Sequence, residues 1–199
     1  MRGKCPPLLW LLVLSLILMG CGSSPPNNYY VLSAQEFPAE NGDTPAIGVG
    51  PIEVPEYLMR QNLVYNHDEN TLHVFSVDLW GEPLVDGIQR VMALNLSGLL
   101  KTQNMRFFPW NPQRAPDYAV KVNLLQLDAN KDEAMMKAEW LVYRPTNGEA
   151  VTRRISQLKT PLPSGASEPE QVAEAYSQLL LQLSEIIAAN IRTDQATQP

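Results

Sequence analysis

Both cysteines of this 199-residue chain, Cys5 and Cys21, fall within its first twenty-one residues. No cysteine follows them, so the rest of the chain can form no disulfide of its own. If Cys5 leaves with a signal and Cys21 is acylated, no thiol is left for a metal or a nucleophile. Whatever folds after them must do so by burying apolar surface, and the length suits one domain with an ordinary core. Fifteen Lys and Arg stand against 21 Asp and Glu, for a net charge of -6. A phosphate-backbone binder needs clustered positive charge, so the balance speaks against nucleic acid. The 17 prolines and 11 glycines carry no period, which excludes collagen-like and low-complexity chains.

The start of the chain sets its expected address. Arg2 and Lys4 precede Leu8 to Leu18, a run that is apolar except for Ser15. A spanning helix needs about 20 apolar residues. This run is half that and fits a secretory signal instead. Leu18-Met19-Gly20-Cys21 then resembles the bacterial lipobox, an aliphatic residue, a tolerant position, a small residue and cysteine. A peptidase that cuts before Cys21 needs small Gly20, and the Cys21 thiol takes a diacylglycerol. Residues 1–20 are thus expected to leave as the signal peptide. Cys21 is expected to carry covalent diacylglycerol and an N-acyl chain, the only prosthetic chemistry anticipated. Cys5, Arg2 and Lys4 depart with the leader, so the remainder is two charges more acidic. Gly22 stands where an aspartate would mark inner-membrane retention, so outer-membrane delivery facing the periplasm is expected.

Residues 21–28 read as the lipidated cysteine and a flexible polar tether, its Pro25-Pro26 pair favouring extended backbone. Residues 29–192 read as a single α+β domain and 193–199 as a frayed tail. β-favouring runs occur at Tyr29 to Leu32 and at Ala46 to Val54, the second broken by Gly50-Pro51. Leu63 to Tyr65 and Leu72 to Phe75 flank a polar turn and predict a hairpin. The period then changes. Leu84, Ile88, Val91, Met92, Leu96, Leu99 and Leu100 share one helical stripe, which predicts a helix over 83–101 with Pro83 tolerated in its first turn. Met105 to Trp110 is a short strand candidate. Alternation over Tyr118 to Leu124 and Met136 to Val142, then Asn147-Gly148 and Ala150 to Thr160, predicts a three-stranded meander. Ser167 and Glu170 have capping-box spacing, and Val172 to Ile191 carries an apolar face. The fold class expected is α+β, a largely antiparallel sheet with two amphipathic helices packed on one face.

No catalytic constellation appears. His67 and His73, the only histidines, have a spacing foreign to zinc sites, so no metal is expected. His67-Asp68-Glu69 reads as a solvated hairpin tip. Neither a Gly-x-Ser-x-Gly elbow nor a Ser-x-x-Lys motif occurs, and Gly48-Val49-Gly50 lacks the rest of a phosphate cradle. Of Arg153 and Arg154, the strand should send one to solvent and pair the other with an acid. Tyr57, Trp80 and Trp140 read as core, whereas Trp110, in Pro-Trp-Asn-Pro, reads as marking a contact surface. Consecutive Leu179, Leu180 and Leu181 make a stripe wider than one packed face needs, a hint of a protein partner.

Several segments together resemble a known family. They are Asn28-Tyr29-Tyr30-Val31-Leu32, Ile47 through Leu58 with its Val54-Pro55-Glu56-Tyr57-Leu58, Leu63-Val64-Tyr65, Leu79-Trp80-Gly81-Glu82-Pro83-Leu84, and Asn95-Leu96. The pattern is similar to the ABC-type transport auxiliary lipoproteins and, within them, the PqiC group. The resemblance implies a non-enzymatic accessory subunit that partners an MCE-domain protein of a PqiAB-like intermembrane lipid-transport system. It implies that Cys21 anchors the domain in the outer membrane, and that a homo-oligomeric ring would suit a tube-like partner. Pro55, Tyr57, Leu58, Trp80 and Pro83 carry the pattern and, with Trp110, are the candidate interface residues. Two other readings stand beside it: a lipid-binding carrier, which needs a large apolar pocket between helices and sheet, and a structural lipoprotein aiding envelope assembly. A hydrolase ranks last.

Overall fold

The computed structural model describes residues 25–38, 42–68, 71–163 and 168–197 of the chain. The signal, Cys21 and the Ser167 capping position lie outside the described residues. Among the described residues, eight strands and two α-helices follow in the order β1 (Asn28–Tyr30), β2 (Ile47–Glu53), β3 (Asn62–Asp68), β4 (Thr71–Trp80), α1 (Leu84–Leu100), β5 (Met105–Phe107), β6 (Tyr118–Ala129), β7 (Glu133–Arg144), β8 (Glu149–Pro161) and α2 (Pro169–Thr197). The class is α+β, as the periodicities predict.

The strands form two sheets rather than one. A three-stranded sheet has the order β1-β4-β3, and a five-stranded sheet has the order β5-β2-β6-β7-β8. The predicted hairpin and the β6-β7-β8 meander are antiparallel. The joints made by distant segments are parallel: β1 with β4, and β2 with both β5 and β6. Parallel neighbours require long connections. Here the stretches from β1 to β4 and from β2 to β6 supply them.

Alternation decides which face of the large sheet is buried. On β7, Ala134, Met136, Ala138, Trp140 and Val142 are all buried at 0–1% exposure, and their odd-numbered neighbours are not. β6 keeps the same rhythm through Leu124. There a bulge at Leu125 keeps two successive residues, Leu125 and Gln126, out of the core, and the inward rhythm resumes with Leu127. β2 has its own irregularity between Val49 and Ile52. It centres on Gly50, whose φ of 111° suits glycine alone, and a Cβ there would meet Phe108 Cβ at 2.8 Å.

α1 begins after Pro83, whose missing N–H costs nothing at a helix start, and ends at Lys101 in the left-handed region with φ 56°. The predicted stripe is the buried one at Leu84, Ile88, Val91, Met92, Leu96 and Leu100, whereas Leu99 at its edge is only partly buried. α2 continues to Thr197, beyond the frayed tail expected from residue 193. Its last turn is held from the side. Tyr118 Oη donates to Asp194 Oδ2 at 2.7 Å, and Arg144 pairs with the same carboxylate.

Both helices lie side by side on the inner face of the large sheet. α2 is therefore covered by β7 and β8 on one side and by α1 on the other. That double burial accounts for the wide apolar stripe: Leu179 and Leu180 are fully buried inside the domain, and Leu181 is partly so. Folding uses most of the stripe, and Leu181 alone of the three leucines keeps part of its surface exposed.

Candidate functional site

Of the residues that carry the family pattern, Pro55, Tyr57, Leu58 and Trp80 sit at the joint between the two sheets. Pro55 leaves β2 and opens the short 3-10 turn Glu56–Leu58. That turn buries Leu58 and stands Tyr57 against the bulged end of β6. The Tyr57 hydroxyl accepts from the Leu127 N–H and donates to Asp128 Oδ1, both at 3.4 Å. Gln126 Nε2 donates to the other carboxylate oxygen at 2.9 Å. Burial raises the Asp128 carboxyl above its ordinary range, although both hydrogen bonds pull it down. Burial and then the Asp128 charge push the Tyr57 phenol to about 12.

Trp80 closes the same joint from the small sheet. It is 4% exposed and stacks on Tyr176 of α2. The Tyr176 phenol is raised well above its ordinary value, chiefly by complete burial and then by the Asp128 charge. Tyr57, Leu58 and Trp80 thus belong to one packed cluster around Tyr176, Leu127 and Asp128. Pro83 and Trp110 lie elsewhere. Pro83 is exposed at the head of α1. Trp110 is half-buried rather than free: it packs on Gly48, where an added Cβ would approach the indole to 2.8 Å, and meets Phe108 edge-on at 5.4 Å.

Asp128 and Tyr176 had no motif to announce them. Only the break in alternation at Leu125 to Asp128 marks the spot, because a strand that stops alternating has met something new. Nor did the β-favouring run that ends at Val31-Leu32 announce that residues 31–38 leave the sheet. That segment crosses both helices as a strap, with Arg90 Nη2 donating to the Leu32 carbonyl at 2.9 Å, the Ser33 N–H donating to Ser177 Oγ and the Gln35 N–H to Asn95 Oδ1, each at 3.0 Å.

This geometry binds elements together. Asp128 is buried against a phenol and an amide. His73 lies on an exposed strand among Tyr65 and Phe75. Among the described residues, no three His, Cys, Asp or Glu side chains gather to hold a metal, and no helix is long and apolar enough to cross a membrane. Arg153 pairs with Glu139 at 3.1 Å and Arg154 points to solvent, the division expected of the pair.

The family profile described as ABC-type transport auxiliary lipoprotein component matches residues 30–188, which spans the whole cluster. The chain belongs to the ABC-type transport auxiliary lipoprotein family. No curated protein matches it. Among the solved structures that share the fold of this auxiliary lipoprotein, two align over most of both chains. One, from Xanthomonas campestris, aligns at TM-score 0.68 and 13% identity, covering 85% of this chain and 99% of its own. The other, solved as an uncharacterized protein, aligns at TM-score 0.68 and 19% identity, covering 84% of this chain and 99% of its own. As an auxiliary lipoprotein the chain serves a transport system, and the residues that carry the family pattern are largely those that lock its two sheets together.

Proposed function

We propose that this auxiliary lipoprotein is anchored in the outer membrane through Cys21 and docks the periplasmic assembly of an MCE-type, PqiAB-like lipid transporter. The reading is carried by one juxtaposition in the chain: the lipobox cysteine stands nine residues ahead of the segment matched to the transport-auxiliary family. The acyl chains supply location, the tether supplies reach, and the folded surface selects the partner. Self-association into a ring would match a tube-like partner.

The packed interior argues for an adaptor over a carrier. A carrier needs an apolar chamber between helices and sheet. That space is filled by Ile88, Met92, Val120, Trp140, Tyr176 and Leu180, each at 0–1% exposure.

The test is Cys21→Ala with membrane fractionation and a pull-down. Wild-type protein should sediment with outer membranes and bring down an MCE-domain protein, and the variant should be found in the soluble periplasmic fraction. A variant that still pellets with outer membranes overturns the anchor. Wild-type protein that captures no MCE partner overturns the docking role.

A further inference from the structure

Tyr29 and Val31 are 60% and 55% exposed, a large apolar exposure in and just after β1. They point to the same side of the chain, as residues two apart on an extended strand do. Both lie beside Gly81: a Cβ on that glycine would sit 3.1 Å from Val31 Cγ1 and 3.9 Å from Tyr29 Cβ. The apolar surface continues from Val31 into a groove of about 900 Å³ between the strap 31–38 and α1. Leu94, itself 51% exposed, lines that groove, as does Phe37, whose ring lies on Gly98. The cation at the groove, Arg90, is tied to Glu82 and to the Leu32 carbonyl, so it offers no free charge. Glu36 stands exposed at the strap's far end.

The length of the tether determines what this shelf meets. Cys21 precedes Asn28 by seven residues, which span at most about 25 Å when fully extended. A domain of this size has a radius of gyration of about 15 Å and hence a diameter of roughly 40 Å. A lipidated Cys21 therefore cannot reach the bilayer from the far side of the domain. The short tether favours a pose with the β1 side toward the lipid, and the shelf on that side is apolar and aromatic, with the exposed carboxylates Glu36, Glu168 and Glu170 at its margins. An aromatic ring with a polar tip suits the headgroup boundary.

We infer that the shelf formed by Tyr29, Val31 and Leu94 seats on the bilayer interface and orients the domain. The inference rests on the lipid anchor proposed above. The shelf binds no single lipid; it presses into the boundary between headgroups and acyl chains, and so turns a swivelling tether into a defined pose. In that pose the large sheet's outer face and β8 stand away from the membrane, open to periplasmic partners.

The experiment uses the full-length lipidated protein with one bimane label at Val31→Cys, Leu94→Cys or Ile155→Cys. Ile155, on β8 at the far edge of the large sheet, is 62% exposed and serves as the reference. Cys21 is acylated, so each introduced thiol is the reactive one. The proteins are reconstituted in vesicles of phosphatidylethanolamine and phosphatidylglycerol brominated high on the acyl chain. The labels at 31 and 94 should lose about half their emission, as expected for residues at the headgroup boundary, while that at 155 keeps its own. Equal quenching at all three sites, or none at any, in protein that still floats with the vesicles overturns the shelf and leaves the anchor standing. So does protection of 31 and 94 that appears only when a protein partner is added. Failure of the unsubstituted protein to float overturns the anchor, and the shelf with it.

Discussion

Trp80, the last residue of β4, stacks on Tyr176 of α2 with ring centroids 6.4 Å apart and 27° between the planes. This contact fastens the three-stranded sheet to the body of the domain. Tyr176 adds a bond to the same sheet, donating to the Val64 carbonyl at 3.4 Å. Trp80→Ala should remove a buried indole that the surroundings cannot replace, at a cost of about 3–5 kcal/mol. Urea denaturation followed by circular dichroism reads that loss directly. A change below about 1 kcal/mol would mean that the small sheet is held by other contacts.

Gly48 makes room for the Trp110 indole and the Pro116 ring, which an added Cβ would approach to 2.8 Å and 2.6 Å. Gly48→Val should expel the indole and destabilise the domain by about 1–3 kcal/mol. Trp110 should then emit at longer wavelength as it enters water. An unshifted spectrum would show that the indole stays seated.

Tyr57→Phe removes the acceptor of the Leu127 N–H and should cost about 1 kcal/mol. It should also abolish the tyrosinate absorbance step near pH about 12. The burial of Asp128 gives a separate pH signature. Its folded-state pKa is raised, so the stability linked to it is complete below the ordinary carboxylate range and declines as pH rises through the folded value. Asp128→Asn should flatten that decline between acid and neutral pH, since an amide keeps the shape without the charge. Parallel pH profiles for the two proteins would sink the assignment.

Asp194 holds the end of α2 by accepting from Tyr118 and pairing with Arg144. Asp194→Ala should release the final turns. Amide exchange should accelerate over residues 190–197 while the helix around Tyr176 stays protected. Uniform exchange along α2 in both proteins would show that the helix end needs no clamp.

Local pattern made much of this fold legible. The stripe Leu84 to Leu100 and the alternation of β6 and β7 appear in the structure on the predicted faces, because the helical and strand periods are properties of neighbouring residues. The split into two sheets was not legible. Whether β1 joins β4 or β2 depends on partners about fifty residues away, and every such strand carries the same alternation. The tail was misread for a related reason: Arg192 to Asp194 looks polar and free until Tyr118 and Arg144 arrive from other strands.

The order of the segments alone determined the α+β class and the family, and it holds the lipobox on which the proposed address rests. The class follows from short-range periodicity. Tertiary structure decided that Tyr57, Trp80 and Asp128 meet at one joint, that most of the leucine-rich face of α2 is consumed internally, and that Tyr29, Val31 and Leu94 share one surface. Each of those outcomes depends on contacts between residues far apart in the chain, and no local pattern encodes which distant side chain will fill a given space.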